Sequence, residues 1–134
     1  MLRAVAAAAF LSLVVSADSH GSQRGADRIL LFGGDNNRVY LGCFSCHELD
    51  RESVFNEIGP YGSALSPTSI ANRISEYGSK ISPYSACNDV APYPPVLVDE
   101  SGTFYGELTV NRIRPQRVTA SKVVAWLAAV CESA

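Results

Sequence analysis

Methionine occurs once in the 134 residues, tryptophan once and histidine twice. Because the single methionine is Met1, a haem iron would find no methionine axial ligand in a mature chain. With only His20 and His47, any nucleophile, base and acid set would hang on one imidazole, and no Ser/His/Asp arrangement emerges. The longest apolar run, AVAAAAFLSLVV, falls well short of the roughly 20 residues that a spanning helix needs. An excess of positive charge is also missing. Eleven basic residues face thirteen acidic ones, a net charge of −2, which argues against sequence-independent nucleic-acid binding by the whole surface. One local exception is the cluster Arg112, Arg114, Arg117 and Lys122, which can touch an anionic partner or simply be a solvated loop before a helix.

Residues 1–17 have the form of a secretory signal. Arg3 supplies the positive start, the apolar run follows, and Val15 with Ala17 suits the small-residue cleavage rule. Cleavage near Ala17 predicts a periplasmic or secreted protein. With no cysteine just after that site, a lipid anchor is not expected. Residues 18–27, DSHGSQRGAD, are too polar to bury and predict a flexible leader. Residues 28–134 are then a single repeat-containing domain.

Three passes of one pattern occupy the middle of the chain: DRESVFNEIGPYGSAL, SPTSIANRISEYGSKI and SPYSACNDVAPYPPVL, beginning at Asp50, Ser66 and Ser82 without a gap. Ser53, Ser69 and Ser85 are in register, as are Asn56, Asn72 and Asn88, and then Tyr61, Tyr77 and Tyr93. This is internal duplication. Asp50, Ser66 and Ser82 suit helix N-caps, and Pro67 and Pro83 suit a first helical position, so one capped helical turn is expected per repeat. The asparagines are expected to close it in the left-handed region, with Gly62 and Gly78 absorbing unfavourable φ where the chain reverses. Three apolar sets in register are expected to face a shared interior: Val54, Ile70 and Ala86; Ile58, Ile74 and Val90; Leu65, Ile81 and Leu97.

β-prone runs flank the repeats. Residues 29–32 and 38–41 are separated by GGDNN, a hairpin signal. VLVDESGTFYGELTV alternates around Glu100, Ser101 and Gly102, a stronger one. Beyond Pro115, Val123, Val124, Trp126, Leu127 and Val130 recur at helical spacing after Thr119 or Ser121 as cap. The expected fold is α+β: two β-hairpins flanking three short capped-turn repeats, closed by one C-terminal amphipathic helix.

Cys43-Phe44-Ser45-Cys46-His47 satisfies CxxCH, the attachment signature of c-type haem. That makes a small electron-transfer haem protein the alternative to a cofactor-free domain. Thiol redox chemistry at Cys43 and Cys46 wants a helix N-terminus in a thioredoxin-like frame, and neither is visible. Cys43, Cys46, His47 and Cys87 have spacings that permit zinc, and His47 with Glu48, Asp50 and Glu52 can hold a weak cation. Export favours disulfides for all four cysteines, Cys43, Cys46, Cys87 and Cys131. Four cysteines allow three pairings.

The segments LGCFSCHELDRESVFNEIGPYGS, SIANRISEYGSK and PPVLVDESGTFYGELTVNRIRP together resemble a poorly characterised module of small exported bacterial proteins, also found beside secreted thermonuclease domains. The resemblance spans roughly residues 40–117. It implies at most an accessory role, and no thermonuclease catalytic segment is present. Usual members carry an aromatic residue where this chain has Cys87, and many lack the final helix with Cys131. The resemblance therefore implies that these two departures pair with each other, leaving Cys43 and Cys46 to bridge or to stay as a reducible pair.

The expectation for function is a non-catalytic binding or structural module without a resident cofactor. Its partner would be an envelope or extracellular protein or a polysaccharide. Tyr61, Tyr77 and Tyr93 are candidate ligand contacts, because similar turns would present the three rings on one side. The alternative is that each ring covers its own turn.

Overall fold

The computed structural model describes residues 27–132; the signal, most of the leader and His20 lie outside the described residues. Strands β1 (Ile29–Gly33) and β2 (Val39–Cys43) pair antiparallel. Asn36 and Asn37, at φ 55° and 54°, and Gly34 at 75° turn the chain between them, residue types that accept the left-handed region at low cost. Strands β3 (Val96–Asp99) and β4 (Phe104–Glu107) form the second antiparallel pair. The two pairs are not separate flanks. β1 also pairs antiparallel with β3, from Ile29 opposite Asp99 to Phe32 opposite Val96, giving one four-stranded sheet in the order β2-β1-β3-β4. Helix α1 (Ser121–Glu132) follows, and the class is α+β.

Among the described residues, none between β2 and β3 is helical. From Asp50 to Ala91 the chain is a run of turns in which most steps are closed by an N–H donated to a carbonyl three residues back, as Ser53 to Asp50, Asn56 to Ser53 and Gly59 to Asn56. One repeat comprises four steps of three and one of four, the longer step falling at Ser63 and Ser79, whose N–H groups reach Gly59 and Ser75. Side chains hold the run. Ser53, Ser69 and Ser85 each accept the N–H two residues on through Oγ at 3.0 Å. Asn56, Asn72 and Asn88 do the same through Oδ1 at 3.1 Å, and their Nδ2 atoms donate to the carbonyls of Asp50, Ser66 and Ser82 at 3.1, 2.9 and 2.9 Å. Serine and asparagine suit this because their short side chains reach neighbouring backbone in turns.

The expected left-handed asparagines are thus corrected: among the described residues only Asn36 and Asn37 have positive φ outside glycine. Gly62 and Gly78 are also not in that region. They are needed for closeness, since a Cβ on Gly78 would lie 2.2 Å from the Ile70 carbonyl oxygen and 2.4 Å from that of Asn72.

The core lies between sheet, turns and helix. Leu31, Leu41 and Leu97 from the sheet meet Val54, Ile70 and Ala86 from the turns, with Leu127 and Cys131 of α1 and Leu108 beyond β4. Trp126 packs edge-on against Phe44 and Phe55, with ring centres at 5.1 and 5.4 Å. The first repeat is tied to β2 by backbone bonds from Cys43 N–H to the Glu52 carbonyl and from Val54 N–H to the Cys43 carbonyl. The Tyr40 hydroxyl donates to Glu52 at 2.6 Å; burial first, and then that bond, pushes the hydroxyl above the ordinary tyrosine range.

Of the three apolar sets expected inside, only Val54, Ile70 and Ala86 are buried together. Ile58, Ile74 and Val90 are exposed, and so are Leu65 and Ile81, while Leu97 is buried in β3. In the turns capped by Asn56, Asn72, Asn88, Ser63 and Ser79, the third residue must aim its N–H back at the cap, and its side chain stands at the outer tip.

Candidate binding surfaces

The CxxCH segment ends β2 and runs into the first turns. Cys43 and Cys46 are bonded to each other with Cα atoms 5.5 Å apart, Cys43 fully buried. His47 is exposed, and its Nδ1 accepts the Leu49 N–H at 3.1 Å, the part that asparagine plays in the repeats. Haem attachment would need both thiols free to form thioethers beside an apolar slot. Neither cleft beside α1 is lined by Cys43, Cys46 or His47, so these residues do not fit the group. Cys87 and Cys131 form the second disulfide, with Cα atoms 5.3 Å apart. The three thiols of the expected zinc set, Cys43, Cys46 and Cys87, are therefore all held in disulfides. Among the described residues, no group of three or more His, Cys, Asp or Glu side chains is placed to hold a metal ion.

The three repeat tyrosines are not equivalent. Tyr77 is 8% exposed and belongs to the core. Tyr61 is half-buried against Tyr40, ring centres 5.0 Å apart. Tyr93 is 60% exposed and stacks on Tyr84 at 5.8 Å. The three rings are thus not equally exposed: Tyr61 and Tyr77 precede the Gly62 and Gly78 turns, whereas Tyr93 precedes Pro94 and its N–H bonds to the Pro83 carbonyl.

Helix α1 has a cleft on either side. One, of about 680 Å³, is lined by residues of the first two repeats, among them Phe55, Glu57, Ala64 and Arg73, with Trp126 and Val130 of the helix. The other, of about 360 Å³, lies between α1 and the segment after β4, with the Cys87–Cys131 disulfide in its wall. Leu108, Val118, Val123 and Leu127 provide apolar lining, and Lys80, Asp89, Glu107, Arg112, Arg117 and Glu132 provide charge.

Those charges are unequally engaged. Glu107 accepts two hydrogen bonds from Arg114, at 2.8 and 2.9 Å, and Arg114 also donates to the Ala91 carbonyl at 3.4 Å. The bonds to Glu107 raise the Arg114 guanidinium above its ordinary value. Among the described residues Lys80, Arg112 and Arg117 make no ion pair, and neither do Asp89 and Glu132. The basic cluster visible in the sequence is thus divided: Arg114 is a structural partner of Glu107, while Arg112 and Arg117 face the cleft. Lys80 joins them from the second repeat, which no local sequence signal foretells.

A third surface is the set of exposed aliphatic turn tips. Leu49, Ile58, Ile74, Val90 and Ile113 are between 77 and 95% exposed. Each is the third residue of a turn whose first residue, His47, Asn56, Asn72, Asn88 or Asn111, accepts its N–H at 3.0 to 3.1 Å. Leu65 and Ile81 form a second set, behind Ser63 and Ser79. No protein-family model, curated protein or solved structure matches this chain. Among the described residues, no helix is long and apolar enough to cross a membrane.

Proposed function

We propose that the protein is a small exported, non-catalytic binding module without a resident cofactor, and that its ligand sits in the cleft between α1 and the segment after β4. The observation that carries this reading is a cleft of about 360 Å³, part apolar and part charged, onto which three unpaired cations converge, Lys80, Arg112 and Arg117. That volume and this mixture of apolar lining with six charged residues suit a small ligand or a chain end. Three free cations against two free acids favour a ligand with an apolar body and an acidic group, which guanidinium groups hold through paired N–H donors. Export to the periplasm or beyond is supported by the signal-like segment 1–17 and by the two disulfides.

A fluorescent anilinonaphthalene sulfonate, an aromatic body with one anionic group, is a direct probe. It is expected to bind saturably and to be displaced by a medium-chain fatty acid. Arg112→Gln and Arg117→Gln should each weaken binding about 2- to 5-fold, the range for a partly exposed charge contact. Val123→Arg, which places a charge in the apolar lining, should abolish it. Binding unaltered by all three substitutions would remove the cleft as the ligand seat.

A further inference from the structure

The two clefts beside α1 are lined by equivalent positions of the repeat, carrying different chemistry in each. Phe55 and Ala71 of the larger cleft are in register with Cys87 of the smaller, Glu57 and Arg73 with Asp89, and Ala64 with Lys80. Where the smaller cleft has the Lys80 cation, the larger one has a methyl group. Duplication has thus built two seats on one plan, and the residues at three repeat positions set what each can hold.

The larger cleft, of about 680 Å³, is lined by two half-buried aromatic rings, Phe55 and Trp126, whereas no aromatic residue among those described lines the smaller. Phe44, outside the lining, packs edge-on against both, with ring centres 5.2 Å from Phe55 and 5.1 Å from Trp126, and these two meet each other at 5.4 Å. Phe44 is held in turn between the bonded Cys43 and Cys46, its N–H on the Ile29 carbonyl at 2.7 Å. Rings locked in this way offer fixed faces, and the face of an aromatic ring is its negative pole. Exposed Glu48 and Glu57 bring two carboxylates to the same cleft against the one guanidinium of Arg73. Among the described residues none of the three makes an ion pair.

We propose that this cleft is a second binding site, separate from the one described above, and that it takes a small organic cation: a quaternary ammonium group on an apolar body. Ring faces attract such a cation, the unpaired carboxylates add to the attraction, and the volume is that of a small-molecule site. A neutral sugar could also hydrogen-bond to the two glutamates. It would be indifferent to their charge, and Glu→Gln substitutions, which keep hydrogen-bonding capacity, separate the two.

Trp126 is the sole tryptophan of the chain and lines this cleft but not the other, so its fluorescence reports occupancy of this site whether or not the smaller cleft binds an anion. Titration with benzyltrimethylammonium is expected to change that fluorescence saturably, with a dissociation constant in the millimolar range or below. Benzenesulfonate, the same ring with the opposite charge, should not compete. Glu48→Gln and Glu57→Gln should each weaken binding about 2- to 5-fold, and Arg73→Gln should tighten it by a similar factor. Ala64→Lys, which gives this cleft the cation that its register partner gives the other, should weaken binding at least about 10-fold. All four positions are exposed, so circular dichroism and thermal unfolding should match the parent. The proposal is overturned if Trp126 shows no saturable change up to about 20 mM, if benzenesulfonate competes equally, if neither glutamate substitution weakens binding, if Arg73→Gln fails to tighten it, or if Ala64→Lys leaves it unaltered.

Discussion

Asn72 shows how much one side chain does in this fold. Its carbonyl accepts the Ser75 N–H, its Oδ1 accepts the Ile74 N–H and its Nδ2 reaches the Ser66 carbonyl, all from a position 6% exposed. Asn72→Ala would leave the Ser66 carbonyl with only the Ser69 N–H as donor and would remove the acceptor of the Ile74 N–H, which water can reach. We expect a loss of about 1 to 3 kcal/mol, from two hydrogen bonds worth about 0.5 to 1.5 kcal/mol each, measured by denaturant unfolding. Asn72→Asp keeps the acceptor and removes the donor, so it should still lose stability. An alanine variant as stable as the parent would show that the side-chain bonds do not hold the turns. The regular register of the asparagines was legible in the sequence, but their role was not. A left-handed cap and a side-chain-bonded turn call for the same residue type, and only the backbone angles separate them.

The turn joining β3 and β4 carries two carboxylates, Asp99 and Glu100, held below their ordinary values. Asp99 Oδ1 accepts the N–H groups of Ser101 and Thr103 at 2.9 Å, and Oδ2 accepts from the Tyr105 hydroxyl at 2.9 Å. The Thr103 bond first, then those of Tyr105 and Ser101, holds the Asp99 carboxyl below the ordinary aspartate range. Glu100 is lowered chiefly by the backbone N–H of Arg28. A lowered folded-state value means that the carboxylates stabilise the fold fully above their ordinary values of 3.8 and 4.5. That contribution is lost as the pH falls through the still lower folded values. Protection of the Ser101 and Thr103 amides is therefore expected to fall below about pH 4 and to lose this acid step in Asp99→Asn. Protection unchanged down to about pH 2 would contradict the assignment. The turn itself was readable from Glu100, Ser101 and Gly102 between alternating β-formers; the tie to Arg28 was not, because it crosses from the start of the described chain.

For the molecule as a whole, the Cys87–Cys131 disulfide closes a sequence separation of 44 and fastens α1 to the third repeat. Restricting the unfolded chain by such a loop contributes on the order of 3 to 4 kcal/mol, a large share of the stability of a small domain. Cys87→Ala with Cys131→Ala should lose about that much, with Trp126 fluorescence reporting the early release of the helix from Phe44 and Phe55. Cys43→Ser with Cys46→Ser, whose sequence separation is 3, should lose less, since loop entropy grows with loop length. Equal losses from both pairs would argue that the helix is held by its apolar face alone.

Local chemistry in the sequence determined the short β-forming runs, the final helix with its Val123, Trp126, Leu127 and Val130 face, and a periodic middle rich in serine and asparagine. Each rests on interactions a few positions apart. Whether an in-register apolar residue points in or out was decided by the tertiary structure. Val54 and Ile58 both begin apolar sets that recur once per repeat, yet one comes directly after the capping serine of its turn and is buried in the core, while the other stands at the tip of the next turn in solvent. The joining of two strand pairs through β1 and β3, the choice among three cysteine pairings and the meeting of Lys80 with Arg112 and Arg117 were decided there too. Each depends on segments distant in the chain, and sequence periodicity records only what a residue does within its own turn.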